Sequence, residues 1–402
     1  MHIAILGAGR VGAAMARDLA ASDNELVIVD AAEAALDALA DLDAERRRVD
    51  LTTEGALEGA IAEAQLVVGA VPGPLGFAVA RRVIEAGKHL VDISFFAEDA
   101  SALDELARSR GVVCLVDCGI APGVSNLVVG RAEAQFARVD RFVCYVGGLP
   151  VERRLPWQYT APFSPIDVLA EYTRPARLVE GGEIVERPAL SGVEHLDLPG
   201  VGTLEAFETD GLRTLLHSSS IPELAEKTLR YPGHRDQVAL LRDVGLLSEQ
   251  PLELADGTSV RPLDVAAALL FPQWRPRLDA EGRPERELTV MRCVVDSLDE
   301  NSVVENDVVE NGDVEEASGA ATRWTLDLID HGDPETGTSS MARTTGYTCI
   351  AIARAVADGA WTRPGVAAPE ALGADEALFT RILGDLEARG IQIRQTHERM
   401  EL

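Results

Sequence analysis

A chain of 402 residues that is 47% hydrophobic can bury the cores of two ordinary domains and is too apolar to be disordered. Its formal net charge of −29 would repel nucleic acid and anionic membrane surfaces, so neither is an expected partner. No apolar run approaches the roughly 20 residues a spanning helix needs, and no basic, apolar leader precedes the first strand, so a cytoplasmic protein is expected. Five cysteines (Cys114, Cys118, Cys144, Cys293, Cys349) are odd in number and lack C-x-x-C spacing, which reads as reduced thiols with no metal site. Only Lys88 and Lys227 are lysines, against 35 arginines. That bias suits a salty cytoplasm, where screening weakens self-repulsion, and GC-rich coding would produce it as well.

In chain order, His2 to Leu6 is an apolar run too short for a helix, followed at once by Gly7-x-Gly9-x-x-Gly12 and an alanine-rich helical pattern from Ala13 to Ala21. A second apolar run, Leu26 to Val29, ends in Asp30. Strand, glycine turn, helix, strand and terminal acid together form a dinucleotide-binding pattern. Gly7 allows the tight turn, Gly9 admits a pyrophosphate, Gly12 permits close packing, and the helix start offers N–H donors. Asp30 is placed to accept from both ribose hydroxyls of NAD and to repel a 2′-phosphate. Ala31-Ala32 offers no adjacent arginine, so NAD is expected over NADP. Arg46, Arg47 and Arg48 come later and could fold near the adenosine.

The pattern then alternates: a helix over 33–43, a third strand over 48–51, a helix over 53–63, and a buried strand over 65–71 before Val71-Pro72-Gly73-Pro74. A helix over 77–86, a strand over 89–93, a helix over 100–110 and a strand over 112–116 complete the series. The predicted fold is α/β, a Rossmann-type doubly wound parallel sheet, with an inserted α+β substrate domain. Right-handed crossovers put the loops after each strand on one edge, where ligands bind. Asp92, Ser94, Asp117 and Cys118 are the polar residues at its nicotinamide end.

Beyond Asp140 short strands and turns take over. Residues 222–246 look helical with a break at Pro232-Gly233, and Glu287–Val295 and Thr322–Leu328 read as antiparallel partners. Between these lies an acidic insert (about 296–320) with nine acids from Asp296 to Glu316, expected to be a solvated hairpin extension. Met341–Ala357 reads as a helix lying close to the first domain, Asp375–Arg389 as a tail helix, and Ile391–Ile393 as a final strand. The domain scheme is 1–125 with about 338–402 for the dinucleotide, and 126–337 for substrate and oligomerisation.

The blocks DCGIAPGVSN (117–126), YVGGLP (145–150), PFSPIDVLAEYTRPA (162–176), LEAFETDGLRTL (204–215), EKTLRYPGH (226–234) and MARTTGYT (341–348) resemble the saccharopine dehydrogenase family. Within it the chain is most similar to the lysine 6-dehydrogenases. The resemblance implies NAD(P)-linked oxidation of a C–N bond in a basic amino acid, commonly by an oligomer such as a dimer or tetramer. The expected reaction is NAD-dependent deamination of the lysine ε-amine to a semialdehyde that cyclises. Saccharopine dehydrogenase or reductase activity is the alternative. A non-catalytic NAD-binding protein and a dehydrogenase of a polyamine conjugate stay open.

Amine oxidation needs the donor carbon near nicotinamide C4 and a base to take the ammonium proton, because a lysine amine has a pKa near 10.4. Asp117, Asp92 and His217 are the candidate bases. Arg213 is a candidate for the substrate carboxylate; Tyr159, Thr160 and Ser164 could close over the substrate, and Lys227 could bind a carboxylate. Cofactor contacts fall to Gly7, Gly9, Arg10, Val11, Gly12, Asp30, Val71, Pro72 and Ser94.

Overall fold

The computed structural model describes residues 1–161, 165–278, 284–299 and 320–400. Ser164 and the run from 300 to 319, which holds most of the acidic insert, lie outside the described residues. The first lobe alternates β1 (His2–Leu6), α1 (Arg10–Ala20), β2 (Glu25–Asp30), α2 (Glu33–Asp37), β3 (Glu45–Arg48), α3 (Ala56–Ala60), β4 (Leu66–Gly69), α4 (Gly73–Glu85), β5 (His89–Asp92), α5 (Asp104–Arg110) and β6 (Val113–Leu115). The strands lie parallel in the order β3-β2-β1-β4-β5-β6. Their buried apolar runs read continuously because helices cover both faces. The third strand is Glu45–Arg48 and not 48–51. It is a mostly exposed edge strand, defined by its backbone pairing with β2 and carrying no apolar signal.

The chain then passes through α6 (Val124–Gln135) into a mixed sheet built from β7 (Arg138–Pro150), α7 (Pro165–Glu171), β8 (Ala176–Glu180), β9 (Glu183–Arg187), β10 (Glu194–Leu198), β11 (Gly202–Glu208), α8 (Leu215–Ser218), β12 (Glu223–Arg230) and α9 (His234–Asp243). A small hairpin of β13 (Leu252–Glu253) and β14 (Ser259–Val260) precedes α10 (Pro262–Trp274), β15 (Glu287–Asp299) and β16 (Ala320–Asp330). The sheet order is β10-β11-β12-β7-β15-β16, with β15 and β16 antiparallel as expected. One element differs in kind: residues 223–230, read as helix, form β12, a central strand running parallel to β7. Glu, Ala, Lys and Leu favour helix in isolation, but two strand neighbours override that preference.

The C-terminal segment serves both lobes. Helix α11 (Ser340–Ala357) starts at Ser339, whose hydroxyl accepts from the Ala342 N–H at 3.2 Å. Its Gly346 lies on α1, where a methyl group would meet Met15 Cγ at 3.3 Å. Asp18 on α1 ties in the C-terminal segment through Arg354 and Arg389, each at 2.7 Å. Strand β17 (Gly365–Ala367) adds to β6 as a seventh parallel strand, and α12 (Pro369–Gly373) and α13 (Glu376–Glu387) follow. The last strand, β18 (Gln392–Met400), pairs with the free edge of β16 in the other sheet. The described stretch from about 338 to 400 is therefore shared between the two sheets and does not belong wholly to the first.

Helices α6 and α12 meet without side chains between them: a methyl group on Gly130 would stand 1.9 Å from Glu370 O, and one on Gly373 2.1 Å from Leu127 O. Because backbone must move to admit either, Gly373→Ala is expected to lower the urea-unfolding free energy by about 1–3 kcal/mol. Gly59→Ala in α3, which meets nothing within 4 Å, is the control and should leave stability equal or higher by about 0.5–1 kcal/mol.

Candidate active site between the two lobes

At the end of β1, Gly7 has φ +99°, and a methyl group on it would meet Ala70 O at 2.4 Å. Gly12 packs so closely that its methyl would lie 1.9 Å from Gly7 O. Gly9, the N-cap of the eleven-residue α1, has nothing within 4 Å of its Cβ position. The approach to the N–H groups of the helix start is open, and the residues present fit a dinucleotide pyrophosphate. Val11 is half-buried and lies against α11, Val71 is buried, and Pro72 is the exposed N-cap of α4. Arg10 reaches across to the second lobe, donating to Ala161 O at 3.4 Å.

Asp30 is more occupied than the sequence suggests. Its Oδ2 accepts from the Ala8 N–H and its Oδ1 from the Ala32 N–H, both at 2.7 Å. The β2–β3 pairing sets Arg48 opposite Asp30. The Arg48 guanidinium bridges to Glu33 at 2.9 Å and to Ala31 O at 3.3 Å. A cation thus stands on the strand beside Asp30. It comes from the next strand and not from the residues beside Asp30.

The nicotinamide end is closed by acids that burial has changed. Asp92 is 2% exposed; its Oδ1 accepts from the Ser94 N–H at 2.9 Å and the Ser94 hydroxyl at 2.7 Å. Burial raises its pKa, opposed by those two bonds. Asp92 is therefore committed to holding the Ser94 turn. Asp117 has φ +58°, and its Oδ1 accepts from Arg213 Nε at 3.0 Å, while Oδ2 is buried with no partner. Burial pushes its pKa up to about 6, with the Arg213 charge holding it down. Arg213, itself at φ +50°, also donates to Phe96 O and lies on the Phe95 ring at 4.3 Å. The expected substrate arginine is thus a clasp between the lobes. His217 is exposed on α8, beside Asp99 and away from the buried acids. Cys118 is buried, and burial drives its thiol pKa up, which removes it as a nucleophile.

The second lobe presents one face of β12. Leu224, Glu226, Thr228 and Arg230 share it by strand alternation, whereas Lys227 points to the other face and is held by Glu194 at 2.5 Å and Gly192 O at 2.8 Å. The structure removes Lys227 from the cleft. Arg230 donates to Tyr172 Oη at 3.2 Å and Glu171 at 3.2 Å, and lies over the Tyr159 ring at 4.6 Å. His234 Nδ1 must donate to Trp157 O at 3.0 Å, because a carbonyl only accepts; Nε2 then accepts from the Tyr172 hydroxyl at 2.9 Å. Burial, assisted by Arg230, lowers the His234 pKa to about 3, so the ring is neutral. Tyr159 is buried with its hydroxyl unpartnered, and Thr160 beside it is buried.

Two groups absent from the sequence candidates complete the cleft. Arg174 lies over the Phe95 ring at 5.3 Å, with Nε buried and unbonded and the Asp210 carboxylate 3.6 Å away. Glu226 is 8% exposed, and burial, then Glu171, Asp210 and Asp117, raise its pKa to about 8. The period-two alternation of Leu224, Glu226, Thr228 and Arg230 was the available signal for Glu226.

Residues 3–115 match the saccharopine dehydrogenase NADP binding domain, and residues 119–391 match the saccharopine dehydrogenase C-terminal domain. The chain is 23% identical over 398 residues to a saccharopine dehydrogenase [NADP(+), L-glutamate-forming] of Schizosaccharomyces pombe, covering 86% of this chain and 87% of that one. It is 25% identical over 281 residues to a carboxynorspermidine synthase of Vibrio cholerae (68% and 61%). The apo saccharopine dehydrogenase (L-Glu forming) of Saccharomyces cerevisiae has the same fold, with a TM-score of 0.77, 19% identity and 99% of both chains covered. The expectation of NAD over NADP is overturned by the NADP binding model and by the NADP(+) in the relatives' names. The charge argument from Asp30 assumed a free carboxylate with no cation at hand, whereas both Asp30 oxygens accept from backbone N–H groups and strand pairing sets Arg48 opposite it. The chain belongs to the saccharopine dehydrogenase family and is an oxidoreductase of the amino-acid C–N bond.

Proposed function

We propose that this protein is an NADP-dependent saccharopine dehydrogenase of the L-glutamate-forming type, in place of the lysine deaminase expected from the sequence. The observation that carries this reading is the cleft mouth, where Arg174 and Arg213 both lie on the Phe95 ring, at 5.3 and 4.3 Å. The Arg174 side chain is 38% exposed, whereas that of Asp210, which it shares with Arg177, is 4% exposed. What the mouth offers to solvent is therefore the Arg174 guanidinium and the Phe95 ring, while Arg213, 10% exposed, stays on Asp117. Saccharopine joins a lysine and a glutarate unit through a secondary amine and brings carboxylates at both ends; lysine has one. The names of the fungal relatives support the same substrate.

In this reading the Gly9 loop and the start of α1 take the pyrophosphate, and Arg48 takes the 2′-phosphate. When bound, the nicotinamide supplies a two-electron hydride acceptor. The Asp92–Phe96 turn and the Asp117–Arg213 clasp fix the cleft floor, so that the carbon beside the substrate nitrogen is held by its distant carboxylates and not by the reacting atoms. Tyr159, Tyr172, Trp274 and Arg230 form a packed wall that keeps water from the hydride path.

Initial rates at 340 nm with saccharopine and lysine, each with NADP and NAD, test the reading. NADPH is expected from saccharopine and little from lysine; turnover of lysine with none of saccharopine would overturn it. Arg174→Ala is expected to raise the KM for saccharopine about tenfold with a smaller change in kcat, because it removes a contact to the non-reacting end. Arg48→Ala is expected to weaken NADPH binding about ten- to hundredfold in a fluorescence titration, with NADH binding changed less than threefold.

A further inference from the structure

Glu226 is a mostly buried carboxylate, 8% exposed, and among the described residues its side chain makes no hydrogen bond or ion pair. It stands on the β12 face shared with Thr228 and Arg230, and its backbone carbonyl accepts from the Thr209 N–H at 3.1 Å. Its carboxylate lies across Gly211: a methyl group there would fall 1.5 Å from Glu226 Oε1. Two residues further on, the same loop delivers Arg213 to Asp117. Glu226 therefore sits against the loop that seals the nicotinamide end of the cleft. A buried, unpaired charge is costly, and such a group is kept where a ligand completes it.

We propose that Glu226 receives the substrate amine and takes its proton before hydride transfer. This rests on the reading of the protein as an oxidoreductase of a secondary amine. The ammonium N–H breaks and a carboxyl O–H forms on Glu226, leaving a neutral amine with a lone pair. The adjacent C–H then breaks with its electron pair passing to oxidised nicotinamide, and the nitrogen lone pair forms the C=N bond. Water adds to that carbon and the C–N bond breaks, giving the semialdehyde and the glutamate amine. The substrate loses two electrons, the nicotinamide gains two, and one proton is released.

Asp117 is less suited to the task. Arg213 already balances its charge, and its side chain is 1% exposed; it acts as a positioning residue. The groups facing Glu226 are acids: Glu171 from α7, Asp210 from the loop after β11, and Asp117 from the first lobe, with the buried Cys144 thiol beside it on β7. Burial and these acids make it the stronger base of the two, about 8 against about 6 for Asp117.

The test compares wild type, Glu226→Gln, Glu226→Asp and Asp117→Asn, using saccharopine and NADP, or whichever amine the wild type oxidises. A failure of the substrate reading appears in the wild type alone, and the variants still decide the role of Glu226. Expected is a wild-type kcat/KM that rises with pH to a plateau, and a fall in kcat of about 100-fold or more in Glu226→Gln. The acid limb should be absent in that variant, NADPH binding unchanged, and activity partly restored by Glu226→Asp. A second readout is independent of turnover. A carboxyl whose folded pKa is raised binds more protons folded than unfolded between the two values. Wild-type stability should therefore fall as pH rises from about 5 to about 8, and Glu226→Gln should lose that slope. Retention of the wild-type rate within threefold in Glu226→Gln, or survival of its acid limb while Asp117→Asn abolishes it, would overturn the proposal.

Discussion

The Asp117–Arg213 pair is the constraint on which the rest of the cleft depends. It joins the end of β6 to the loop after β11, across the seam between the two lobes, with both side chains nearly sealed from water. Both residues hold left-handed backbone, which costs a non-glycine residue about 1–3 kcal/mol unless the surroundings enforce it. Removing one partner of such a buried pair leaves a desolvated charge and typically costs about 3–5 kcal/mol. The pair is tied further by the Arg213 bond to Phe96 O and the stacking on Phe95. From it follow the position of the Phe95 ring, hence of Arg174, and the position of Gly211, hence of Glu226.

The cleft is graded electrostatically. Its interior is acidic, with Asp92, Asp117 and Glu226 all raised by burial, so it favours a cationic nitrogen and accepts its proton readily. Its mouth carries the half-exposed Arg174 against Phe95, while Arg213 on the same ring is neutralised by Asp117. The far wall is set by a chain of hydrogen bonds from the Arg230 cation to Tyr172, from Tyr172 to His234 and from His234 to Trp157 O. A relay of this type fixes side-chain positions without adding a titrating group near neutral pH.

The sequence by itself determined most of the first lobe, apart from the polar edge strand β3 and the late strand β17, which only backbone pairing defines. Strand-glycine-helix-strand spacing left one reading of β1, α1 and β2, and the parallel sheet followed from apolar runs alternating with helical ones. The antiparallel β15–β16 pair and the small-residue helix α11 were legible for the same reason, since local periodicity reports burial directly. The tertiary structure alone decided the chemistry of the cleft. Residues 223–230 carry a helical composition, and only pairing with β7 and β11 makes them a strand that turns Glu226 and Arg230 inward and Lys227 away. Arg48 comes to lie opposite Asp30 through strand register, which no run of neighbouring residues encodes. Arg213 has the composition of a substrate ligand, and its partner Asp117 lies 96 positions away in the chain. Contacts between distant segments depend on how the lobes close on each other, and local sequence carries no record of that.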